Sequence, residues 1–174
     1  MNDTVMSVIA IFLAAVLMFV FPLMATADRS DDISQQAVQT ATTEFVDNIR
    51  ATGKITQTKY DNFVSTIAET GNTFDVEIEA QKLDDTARKK TTQAKSSKVG
   101  ENNYYSEYTS QILDVMEKNG EYNLKEGDIV SVTVKNTNKT MSQVLKNFFY
   151  SVTGNNTYNI AAQHSGIVNV NASK

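Results

Sequence analysis

Cysteine is absent from all 174 residues, which excludes disulfide scaffolds, thiolate metal sites and cysteine nucleophiles together. The lack of thiols suits an extracytoplasmic protein. Histidine occurs once, as His164. It falls within the last expected strand, where a surface or hydrogen-bonded structural role outweighs catalysis or metal binding. Phosphate-binding glycine loops of the GxxxxGKS or GxGxxG kind are missing, as are the HExxH and GxSxG signatures. A basic surplus is missing too. The net charge of −4 offers no sequence-wide attraction to a phosphate backbone, so no nucleic-acid partner is expected. The adjacent acids Asp31-Asp32 and Asp84-Asp85 have the character of capping or solubilising pairs, and Asp128 has no evident partner. No catalytic residue, cofactor, metal or small-molecule substrate is therefore expected, and the chain is not read as an enzyme.

What the sequence does have is one long apolar run. No charged residue occurs between Asp3 and Asp28, and Val5 to Ala25 reads VMSVIAIFLAAVLMFVFPLMA. About 20 apolar residues in a helix cross the roughly 30 Å hydrocarbon core of a bilayer, where only a helix or closed barrel satisfies the backbone. Residues 1–27 are thus expected to form a membrane or filament-core helix, with Val5, Ile9, Phe12, Ala14, Val16, Phe19 and Pro22 as its marking residues. Lipid is its first partner. Pro22 lies late in the run, where it loosens the last turn. The small side chains of Ser7, Ala10, Ala14 and Ala15 permit close approach of neighbouring helices.

Two fates of this segment remain open from sequence. Ala25-Thr26-Ala27 resembles a signal-peptide cleavage site, but Met1 to Thr4 carries no Lys or Arg and the apolar region exceeds the usual signal length, which favours a retained anchor. Beyond the run, Arg29 is outnumbered by Asp28, Asp31 and Asp32, so the positive-inside rule does not hold that side in the cytoplasm. The rest of the chain is expected outside.

Helical periodicity continues past the apolar run. In residues 28–53, Ile33, Ala37, Val38, Ala41, Phe45 and Ile49 recur every three or four positions and Gly53 stands as a C-terminal cap. A single continuous helix and an anchor followed by a separate helix are both compatible with this, with continuity favoured. Residues 54–174 then form an α+β head: a short helix capped by Thr56 or Thr58, with Tyr60, Phe63, Val64 and Ile67 on its apolar face, precedes an alternating strand at Phe74, Val76 and Ile78. Residues 85–103, with Arg88, Lys89, Lys90, Lys95 and Lys98, read as a solvated basic loop. A third helix is expected from Tyr104 to Lys118, burying Tyr105, Tyr108, Ile112, Val115 and Met116. After it come a β-branched strand from Ile129 to Val134, a fourth helix capped by Thr140 and ending at Gly154, and a last strand from Tyr158 to about Val170. The fold class expected is α+β, a long apolar-then-amphipathic helix on a small, mainly antiparallel sheet with helices on one face.

An apolar N-terminal helix with a late proline, running into an amphipathic helix under an α+β head, resembles type IV pilins and pseudopilins. The segment Val5 to Ile49, including Ala37-Val38-Gln39-Thr40-Ala41-Thr42-Thr43-Glu44-Phe45, is similar to TadE-type components of tight-adherence pilus loci of the Gram-positive kind. The resemblance implies a homo-oligomer, or a partner among other pilin-like subunits, packed helix to helix in a surface filament. Pilins carry an acid near the start of this helix. Position 5 is Val5, so the resemblance gives that place to Asp3.

Overall fold

The computed structural model describes residues 2–83, 104–150 and 160–172. Between Pro22 and Gly53 no residue breaks a helix, and none is broken: α1 runs Asn2–Thr52, 51 residues in one piece, a rod about 77 Å long. It passes through Pro22, which has no N–H to offer the Met18 carbonyl. The rod ends where expected. Gly53 takes φ +68°, donates its N–H to Ile49 O at 2.8 Å, and turns the chain so closely that a Cβ there would lie 2.6 Å from the Val170 carbonyl.

The buried side of the second half of α1 runs through Ser34, Val38, Ala41, Thr42, Phe45, Val46 and Ile49. Val38, Ala41, Phe45 and Ile49 meet expectation; Ile33 and Ala37 do not, both facing solvent. The inward line is turned by a fraction of a residue because Asp31 and Gln35, polar neighbours of Ile33, hold other parts of the head through hydrogen bonds.

After Gly53 come β1 (Lys54–Thr56), α2 (Gln57–Ala68), β2 (Phe74–Leu83), β3 (Tyr104–Tyr108), α3 (Thr109–Asn119), β4 (Glu121–Asn123), β5 (Ile129–Asn136), α4 (Met141–Tyr150) and β6 (Ala161–Ile167). Thr56 caps α2, its hydroxyl accepting the Lys59 N–H at 3.4 Å. Four strands form one antiparallel sheet in the order β3-β2-β5-β6, and β1 pairs with β4 in a separate two-stranded ribbon. Register places Val76, Val134 and Ala162 side by side, then Ile78, Val132 and His164, then Ala80, Val130 and Gly166. This face meets the helices. A Cβ on Gly166 would fall on the Arg50 side chain of α1, so glycine is what lets helix and strand close up here. Phe63 and Ile67 of α2 and Ile112 and Met116 of α3 complete a single core, and Phe63 stacks on Phe45 at 4.4 Å between centroids.

The architecture is α+β with a long apolar N-terminal helix and a small antiparallel sheet, as expected. The third helix is corrected. Tyr104 to Tyr108 is not helical but an edge strand against Leu83 to Glu79, and α3 begins only at Thr109. Tyr105 and Tyr108 are accordingly 46% and 58% exposed, not core. The final strand is also shorter than expected, because past Ile167 the backbone leaves the ladder. Val168, Asn169 and Ala172 donate instead to the carbonyls of Asp128, Arg50 and Leu124. The basic loop, the Asp84-Asp85 pair, Tyr158 and the expected end of the fourth helix at Gly154 lie outside the described residues.

Candidate membrane and assembly helix

In the first half of α1 the helix shows its apolar side chains in every direction. Val5 is 57% exposed, Ile9 52%, Phe12 68% and Phe19 73%, with Ala14 and Pro22 also open and Val16 half-covered. These marking residues are therefore not gathered into one cluster but spread around one rod. Among the described residues, the side-chain hydrogen bonds of this stretch close back on the helix, Ser7 Oγ to Asp3 O at 2.8 Å and Thr26 Oγ1 to Pro22 O at 2.9 Å. Hydroxyls satisfied by their own helix suit a surrounding with no water. The helix is long and apolar enough to cross a membrane. Asp3 sits in its first turn, where the helix dipole favours an acid.

The change of environment is abrupt. Ala27 is 7% exposed, and Asp28, the first charge after the apolar run, has its carboxylate 2.5 Å from Lys146 Nζ and accepts the Ser142 hydroxyl. The Lys146 hydrogen bond, followed by that of Ser142, holds the Asp28 carboxyl below its ordinary value. One turn on, Asp31 Oδ2 accepts the Thr140 hydroxyl at 2.6 Å. Thr140 caps α4 as expected, in a reciprocal box: its N–H donates to Gln143 Oε1 at 3.1 Å and its Oγ1 accepts the Gln143 N–H at 3.2 Å. Sequence reasoning found this cap but missed its docking on α1. Residues more than a hundred positions apart give no local signal of pairing.

Elsewhere the polar groups are structural. Asp128, without a partner in sequence terms, is 2% exposed and accepts the backbone N–H groups of Leu83 and Lys125, tying the turn before β5 to the end of β2. Tyr122 is 1% exposed and donates to Glu107 at 2.6 Å, while Lys82 lies over its ring at 4.2 Å and pairs with the same carboxylate at 3.3 Å. Burial, then the Glu107 carboxylate, pushes this phenol's pKa upward, so it stays a neutral donor. His164 faces α1, with Nε2 3.8 Å from Asp47. The far face of the sheet carries an open groove of about 620 Å³ lined by Asp75, Glu77, Glu79, Ser131, Thr133 and Gln163. Two of its acids are engaged locally, Glu77 3.6 Å from Lys135 and Glu79 accepting the Ser106 hydroxyl at 2.7 Å. Among the described residues no group of three or more His, Cys, Asp or Glu side chains is placed to hold a metal.

No family model matches the chain, and no curated protein or solved structure is significantly similar to it.

Proposed function

We propose that the chain is a structural, pilin-like subunit of a bacterial surface filament or secretion machine, anchored by the first half of α1 and self-associating through it. The observation that carries this reading is the unbroken α1, whose open apolar half continues without a joint into the helix at the centre of the head's core. A filament subunit needs this arrangement, because the head must follow its helix rigidly as neighbours pack. Ser7, Ala10 and Ala14, at spacings of three and four, line up along one side of the rod and allow close helix contact in lipid or in a filament core. The head then stands outside the cytoplasm, and the partners are further copies or other pilin-like subunits of a tight-adherence type.

Intact mass and N-terminal sequencing of native protein from membrane and from sheared extracellular fractions test the proposal. The expected result is a chain retaining the apolar run, present in sheared polymers. A chain beginning at Asp28 would be a secreted domain and would end the filament reading. Protein found only in detergent-soluble membranes would leave a single-pass accessory or sensor subunit that binds another protein through its head.

A further inference from the structure

Helix α4 is built inside out. Its side toward the protein is polar: Thr140, Ser142 and Gln143 are 4%, 3% and 4% exposed, and Lys146 reaches Asp28. Its outward side is apolar, with Met141 64% and Val144 50% exposed. A helix on a water-facing surface has the opposite pattern, since burying polar groups and exposing apolar ones both work against folding in water. The inversion makes sense only where the outside is not water.

The position of α4 names the medium. It is pinned to Asp28 and Asp31, the first acids after the uncharged run. Thr140 pairs with Asp31 and Lys146 with Asp28, so α4 advances toward the N-terminus of α1 and heads alongside its apolar half. Lys146 and Asp28 neutralise each other where isolated charges would be least welcome.

We propose that the outward face of α4, through Met141 and Val144, docks in the headgroup and upper acyl region of the bilayer that α1 enters, seating the head on the membrane in the unassembled state. This rests on the reading that the first half of α1 lies in lipid, and the test keeps the two apart. Because the chain has no cysteine, a single environment-sensitive fluorophore can be placed on the full-length protein in phosphatidylcholine–phosphatidylglycerol vesicles at Leu13→Cys in the rod, Val144→Cys or Met141→Cys on α4, or Lys118→Cys on α3. Two α4 positions guard against one label disturbing the fold.

The expected result is a blue-shifted emission at 13, 141 and 144 that spin-labelled lipids largely abolish and aqueous iodide leaves alone, with the reverse at 118. Quenching by lipid at 13 but by iodide at both α4 positions would overturn the inference while leaving the anchor intact. Protection of the α4 labels from both quenchers, growing with the protein-to-lipid ratio, would assign the face to a second copy and equally overturn it. A label at 13 that spin-labelled lipid does not reach would bring down the anchor reading, and the α4 inference with it.

Discussion

The two halves of α1 share one backbone and follow opposite rules. From Val5 to Leu23 large apolar side chains are exposed all round; from Ser34 to Ile49 a single stripe is buried and, Ala37 apart, the rest of the circumference is polar. The difference teaches that one unbroken helix can rest on two different supports along its length. The first half closes its backbone hydrogen bonds within itself, as a segment long and apolar enough to cross a membrane must, while the second is held by the stripe that covers a sheet.

The comparison is broken most completely by putting the same kind of charge into each half. Val46→Asp, at a position 0% exposed in the head core, should cost several kcal/mol and leave no cooperative unfolding transition by circular dichroism. Ala14→Arg should leave that transition intact in detergent but abolish membrane retention, because a mid-span charge costs roughly 2.5–3.5 kcal/mol on insertion scales. Normal retention and assembly of Ala14→Arg would sink the account of the first half. Next in size is Gly53→Ala at the end of the rod. A left-handed backbone plus the close Val170 carbonyl should lower stability by about 1–3 kcal/mol, read by chemical denaturation.

At the border between the halves the effect is smaller and depends on pH. Asp28 has a lowered pKa when folded, so its contribution is present above the unfolded value of 3.8 and is lost as pH falls through the folded one. Protection of α4 amides, taken relative to the intrinsic exchange rate at each pH, should fall below about pH 4 in the wild type. In Asp28→Asn protection should already be lower at neutral pH and show less of this acid dependence. An unchanged acid response would remove Asp28 from the docking. The smallest effect is expected from His164→Ala, which should stay within about 1 kcal/mol, since its contact with Asp47 is long and partly solvated.

Much of the long helix was legible, because periodicity and the lack of breakers are local. The apolar run, Gly53 as terminator and the stripe Val38, Ala41, Phe45 and Ile49 are all visible in the residues themselves. Tyr104-Tyr105-x-x-Tyr108 misled because its spacing fits a helix face, while pairing with Leu83 to Glu79 decided for a strand; the aromatic enrichment was the available signal for β structure. The three-residue strands β1 and β4 exist only by mutual pairing, Ile55 opposite Tyr122, and no window sees both. The polarity inversion of α4 was hidden for the same reason. Thr140 and Ser142 look like solvent residues until Asp31 and Asp28 are set beside them.

One side chain of α1 behaves as a piece of strand. Gln35 donates to the Ala161 carbonyl at 2.6 Å and accepts the Ala161 N–H at 2.9 Å, as a neighbouring peptide would, and Arg50 Nε donates to the Ile167 carbonyl at 3.0 Å. Fifteen helical residues, about 22 Å, separate these two anchors, close to the roughly 20 Å of β6 they bracket. The β6 border of the sheet is thereby occupied at both ends by the rod. A foreign strand must evict Gln35 and Arg50 before gaining full-length pairing with β6, so at this border the rod itself guards the sheet against strand addition.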